Sequence, residues 1–215
     1  RRGGIKMSFG SVSGKPWGEV YLIGGGPSLR GFDFERLRGR VLVAVNDAAV
    51  HVPFASALFS MDAGWIRNRR EVIDGFTGEK YLAVAPDFHF PSGPDACYLK
   101  RDRQGRGLSA DPGAIYMGGG NSGYGALNLA APKGATRIVL LGYDLIGPNQ
   151  HWHPGYEWAS ALSSNDLYWR WAGHFDSAAV ELRQRGVQVV NASTHSRITA
   201  FRKVTLASVP DVEWL

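Results

Sequence analysis

Six short apolar runs set the frame: "EVYLIG" (19–24), "RVLVAVN" (40–46), "SALFSM" (56–61), "KYLAVA" (80–85), "RIVLLGYD" (137–144) and "VQVVNAS" (187–193). They are β-branched and bounded by turn formers. Most are too continuous for strands with one wet face. Helical patterns lie between them. "FDFERLRG" is short, and "AGWIRNRREVIDGF" spaces Trp65, Ile66, Val72, Ile73 and Phe76 for one face. "NSGYGALNLAAPKG" opens on capping residues and stops at Pro132 and Gly134. "NDLYWRWAGHFDSAAVELRQRG" puts Leu167, Trp171, Phe175, Ala178, Ala179 and Leu182 on one stripe and ends at Gly186. Strands alternating with helices specify an α/β fold, a mostly parallel sheet with helices on both faces.

The 215 residues, 44% hydrophobic and 20% charged, suit one globular domain, expected over 19–215. Residues 1–18 read as a basic, glycine-rich arm without the apolar core of a signal peptide. No apolar run reaches the ~20 residues of a membrane helix. Cys97 is the single cysteine, which excludes an internal disulfide and zinc motifs built on Cys pairs, and points to a reducing compartment such as the cytoplasm. Net charge is +5, which permits a nucleic-acid or anionic partner without requiring one. The runs "RNRR" (67–70) and "KRDRQGR" (100–106) have a plain reading as a solvated helix face and a loop. The segment 86–112 reads as a long binding loop or lid with one strand at "ACYLK".

In a parallel sheet, ligands bind beyond the carboxyl ends of the strands. Polar residues gather there: Gly24–Ser28, Asn46 and Asp47, Asp62, Pro86–His89, and Asp144 through His153. In "YLIGGGPSL", Gly24 and Gly26 fit the first two glycines of a dinucleotide fingerprint, but Leu29 stands at the third. No Lys-Ser or Lys-Thr follows, so this is not a Walker loop. Three glycines, Gly24, Gly25 and Gly26, let backbone N–H groups converge on an anion; Pro27 suits a first helical turn and Ser28 adds a hydroxyl. A tight turn without a ligand is the alternative. Asn46 or Asp47 could grip a ribose or read a base edge, or Asn46 could simply cap a turn.

From "IGGGPSLRGFDFERLRGRVLVAVND", through "GGNSGYGALNLAAPKGATRIVLLGYDL", to "GHFDSAAVELRQRGVQVVNAS", the chain resembles the small bacterial sialyltransferases that use CMP-sialic acid. It also resembles the motility-associated flagellin glycosylation factors, the archaeal hydroxymethylpterin pyrophosphokinases, and proteins common in bacteriophage genomes. The resemblance covers roughly residues 19 to 195. It implies a Rossmann-like nucleotide-binding transferase with a nucleotide-sugar as donor substrate and no cofactor required, as is usual for the sialyltransferases, with Mg²⁺ left open. Nucleotide contacts would map to Gly24, Gly26, Pro27, Ser28 and Asn46, with Asn121, Ser122 and Gly123 facing the same ligand. One position departs: the sialyltransferases carry Asn where this chain has Gly25, which removes a side-chain contact to CMP.

The loop 145–165, within "GYDLIGPNQHWHPGYEW", is rich in His and Trp. His151 and His153 are two apart and point the same way in an extended loop. His153 or His174 is expected to be the base that deprotonates an acceptor hydroxyl, with Asp144 orienting it or binding the sugar. Loop capping or stacking on Trp152 and Trp158 remains open for His151 and His153, as does metal binding with Asp144. Trp152, Tyr156, Trp158, Tyr168 and Trp169 either line an acceptor platform or pack the loop. The leading expectation is a glycosyltransferase moving a sugar from a nucleotide to an acceptor hydroxyl on a glycan, a protein or a hypermodified base in phage DNA. Three others stand beside it: a Mg²⁺-dependent phosphotransferase using Asp47, Asp62 and Asp144, a nicotinamide oxidoreductase, and a non-catalytic binding module.

Overall fold

The computed structural model describes residues 9–12, 14–88, 94–103, 105–147, 151–154 and 165–214. Among them run nine strands: β1 Gly18–Ile23, β2 Val41–Val45, β3 Ala57–Ser60, β4 Glu79–Val84, β5 Cys97–Asp102, β6 Ala114–Tyr116, β7 Ala135–Leu141, β8 Gln188–Asn191 and β9 Arg202–Lys203. They form one sheet in the order β6-β5-β4-β3-β2-β1-β7-β8-β9. Every neighbouring pair is parallel. The fold is α/β and Rossmann-like.

The continuous apolar runs have a direct cause: both faces of the sheet are buried. Val20, Leu22, Val43, Phe59, Leu99, Ile138 and Leu140 enter one core. Tyr21, Ile23, Leu42, Leu58, Leu82, Val139 and Leu141 enter the other. The first core is closed by α4 (Ser122–Ala130) and α5 (Asn165–Gln184), the second by α1 (Ala48–His51), α2 (Ala63–Asn68) and α3 (Arg70–Gly75).

The patterned segment 63–76 is two helices. Arg69 leaves helical geometry (φ −116°, ψ 32°), and its guanidinium turns inward onto Asp47. The stripe read along α5 is buried at Phe175, Ala178, Ala179 and Leu182, whereas Leu167 and Trp171 are half-buried. In the N-terminal segment, Gly10 and Val12 donate to Tyr98 O and Pro112 O, and Trp17 is buried. Among the described residues no helix is long and apolar enough to cross a membrane.

The chain builds outward from β1 through β2 to β6, then returns to place β7 on β1's other side. The strand order therefore reverses between β1 and β7. Such a reversal opens a crevice beyond the carboxyl ends of the two strands.

Candidate functional site

The glycine turn leaves β1 and at once meets the exit of β7. Gly24 N donates to Leu141 O and Gly26 N to Gly142 O, both at 2.8 Å. A Cβ on Gly26 would stand 1.8 Å from Asp144 Oδ2, and one on Gly24 would stand 2.9 Å from Gly142 O. These two glycines are required by close approach to β7. Their amides are spent on the sheet, which corrects the expectation that all three converge on an anion. Ser28 Oγ donates to Asp144 Oδ2 (2.8 Å) and lies 3.1 Å from Ser193 Oγ. Asp144 is buried. Burial raises its carboxyl above the usual range, while hydrogen bonds from Ser28 and Ser193 act in the opposite direction.

Tyr143 connects this clasp to α4. Its ring packs where Gly24 and Gly123 lack side chains, and its hydroxyl donates to Gly123 O (3.1 Å). The α4 N-cap is Asn121, whose side chain accepts from Tyr124 N (2.8 Å). The N–H groups of Ser122 and Gly123 have no partner among the described residues, nor does the Ser122 hydroxyl. Ahead of them Gly118, Gly119 and Gly120 all adopt positive φ (50°, 71° and 100°), open only to glycine at such a run. His174 Nε2 lies 3.2 Å from where a Gly119 Cβ would be, and Trp171 Nε1 donates to Gly119 O (3.0 Å). Burial and then the charge of Arg106 lower the His174 pKa, so the ring is neutral near pH 7.

His151 and His153 sit on the other flank of the glycine turn. Trp152 pins them: its Nε1 donates to Gly24 O (2.9 Å) and its N to Gly25 O (3.1 Å). His151 Nδ1 lies 3.2 Å from Gly25 O, in the space that a side chain at 25 would need. The two rings stack (5.5 Å between centroids, 21°), and His51 continues the stack against His153 (5.2 Å, 29°). Burial lowers both His151 and His153. The structure thus gathers His151 and His153 with the clasp but sets His174 apart, with Gly119 and Tyr124. His89, Tyr156 and Trp158 lie outside the described residues.

At the tip of β2, Asn46 takes a left-handed conformation (φ 55°). Asp47 is buried and accepts from Trp65 Nε1 and Arg69 Nε, both at 2.8 Å. Asp62 caps α2 through Gly64 N and Trp65 N. The three acids considered for Mg²⁺ are thus held in separate structural bonds, and no His, Cys, Asp or Glu cluster suited to a metal occurs among the described residues. Sequence reasoning missed Tyr143, Ser193, His51 and Gly118–Gly120. Ser193 could have been found by applying the carboxyl-end rule to "VVNAS"; His51 carries no such signal. A cavity of about 290 Å³ lies elsewhere, between α5 and β8–β9 around Leu182, Val189, Phe201 and Trp214.

No family model matches the chain, and no curated protein matches it in sequence. Among solved structures it superposes on the MAf glycosyltransferase from Magnetospirillum magneticum with a TM-score of 0.60 at 14% identity. That match covers 94% of this chain and 35% of the other, so the chain spans a minor part of that protein's length. It also superposes on the sialyltransferase CstII from Campylobacter jejuni, solved with cytidine-5'-monophosphate, with a TM-score of 0.51 at 13% identity over 89% and 86% of the two chains. At such identities the likeness is one of fold, and it is the Rossmann-like α/β architecture that the three share.

Proposed function

We propose that the chain is a nucleotide-dependent glycosyltransferase whose donor binds over Tyr143, between the glycine clasp and the start of α4. The observation that carries this reading is the position of the unengaged Ser122 and Gly123 amides, joined through Tyr143 to the strand-order reversal. A helix start offers N–H groups and positive dipole to a phosphate. Fold likeness to two transferases supports the reaction class.

In this reading His174 is the base. Its Nε2 takes the proton of an acceptor hydroxyl, the oxygen attacks the anomeric carbon, and the bond from that carbon to the phosphate oxygen breaks. The departing nucleotide carries the electron pair, and the Ser122 and Gly123 amides stabilise it. A ring neutral at pH 7 suits this role. His153, buried between two other imidazoles, holds the loop instead. The acceptor is a hydroxyl of a glycan, a protein or a modified base in phage DNA; only DNA would show binding that weakens steeply with salt.

The test is a thermal-shift panel of CMP, CDP, UDP, GDP, ADP, ATP, NAD and the nucleotide sugars, with and without Mg²⁺. A ligand at ~100 times its dissociation constant stabilises the fold by about 2.7 kcal/mol. We expect one nucleotide or nucleotide sugar to raise the melting temperature without Mg²⁺. His174→Ala should keep that shift and lose transfer. A shift with ATP only in the presence of Mg²⁺ would replace this reading with a phosphotransferase, and no shift with any nucleotide would end it.

A further inference from the structure

Beside the start of α4 stands a cation that the basic run 100–106 gave no reason to single out. Arg101 lies on β5, on the face that Leu99 presents to the core shared with α4. Its guanidinium crosses toward the exit of β3, where Nη1 donates to Met61 O (3.1 Å). Met61 in turn abuts the first turn of α4: its Sδ is 3.0 Å from where a Gly125 Cβ would be. Met117 N donates to Asp102 O (3.0 Å), so the glycines 118–120 start beside the next residue of β5.

Among the described residues Arg101 Nε is enclosed and has no hydrogen-bond partner. No carboxylate among the described residues lies within ion-pair distance of this guanidinium; the charges of Arg103 on one side and of Asp87 and Asp62 on the other reach it from farther off. An enclosed, unsatisfied guanidinium N–H favours binding of an acceptor beside it. At the adjoining helix start the Ser122 hydroxyl accepts or donates no hydrogen bond among the described residues. Through Met61 the enclosed Nε is thus linked to the helix start that carries the Ser122 and Gly123 amides. A phosphate fits both: its oxygens accept from guanidinium Nε and Nη2 in a planar pair, from the hydroxyl, and from the helix amides.

We infer that Arg101 holds the phosphate of the nucleotide donor and supplies the positive charge that its departure requires. This rests on the transferase reading and deepens it. When the anomeric bond breaks, charge accumulates on the phosphate oxygens, and a fixed guanidinium meets that charge without a divalent ion.

The experiment measures binding of the four ribonucleosides and their 5'-monophosphates to the full chain and to Arg101→Gln and Arg101→Lys, without Mg²⁺. Unliganded melting temperatures identify any variant that fails to fold, and the lysine variant then carries the comparison. In the wild type we expect the preferred monophosphate to bind at least tenfold more tightly than its nucleoside. Arg101→Gln should erase that advantage, leave nucleoside binding within twofold and lower kcat when a donor is turned over; Arg101→Lys should restore part of it. A monophosphate that binds Arg101→Gln as tightly as wild type overturns the inference and leaves the transferase reading intact. If no nucleoside or nucleotide binds, ³¹P line broadening of inorganic phosphate decides. Broadening lost in Arg101→Gln keeps the anion site and discards the transferase, whereas no broadening in the wild type overturns both.

Discussion

At Gly26 a single added methyl group would stand 1.8 Å from Asp144 Oδ2 and 2.5 Å from Gly142 O. Its φ of −68° is ordinary, so the demand for glycine is purely steric. Neither neighbour can yield easily: one is backbone, and the other is a buried carboxylate bonded to Ser28. Gly26→Ala is therefore expected to destabilise the protein by roughly 2–3 kcal/mol in urea unfolding. Gly173 is the opposite case. It lies on the exposed side of α5 with nothing within 4 Å of a Cβ. Gly173→Ala should stabilise by roughly 0.5–1 kcal/mol. Sequence could show that Gly24 and Gly26 matter, but not why. The partner that fixes their amides, the exit of β7, lies more than a hundred positions away in the chain. Asp47 was misjudged for the same reason: a carboxylate after a strand looks available for a sugar until Trp65 and Arg69 are seen to fill it. Because Asp47 is buried, Arg69→Ala is expected to cost roughly 3 kcal/mol by leaving its charge with the indole N–H alone.

The segment 151–154 is held by two backbone carbonyls of the glycine turn and by a stack of three imidazoles, with Asp47 close enough to be felt at His151 and His153 and Arg30 donating to His151 O. Burial lowers His151, His153 and His174, so the folded state favours their neutral forms. The unfolded chain takes up these protons first, near pH 6.5. The stability linked to these rings is complete above that pH and drains as pH falls toward the lowered folded values. Urea midpoints should therefore decline from about pH 7 to about pH 5.5, with a shallower slope in His153→Gln. A slope unchanged by that substitution would remove His153 from the linkage. Elements were legible where burial shaped their composition. Strands buried on both faces wrote themselves as apolar runs. β6 and β9, with three and two residues, are too short for any pattern and exist because β5 and β8 offer them an edge. The break at Arg69 was hidden because its cause is Asp47, not a local proline or glycine.

For the molecule as a whole, alternation of strands with helices is enough to predict a parallel sheet, and the carboxyl-end rule points to the edge where Gly24–Ser28, Asp144 and His151 meet. Which pairs of loops meet there follows from strand order, and order is not written in any local pattern. Hence His151 lies against the glycine turn and His153 stacks on it, while His174, which the sequence groups with them in one candidate site, packs against Gly119 and Tyr124. Strand order has a further consequence. β1 precedes the other strands of this sheet in the chain and ends as an interior strand. β2 covers one side soon after, but the other waits for β7, whose last residue is Leu141. During synthesis an apolar strand with an open hydrogen-bonding edge must persist while more than a hundred residues emerge. Long-range closures of this kind are slow, and exposed edges recruit foreign strands. The ribosome-bound chain, more than the finished protein, is where this fold is open to aggregation and where a chaperone has something to hold.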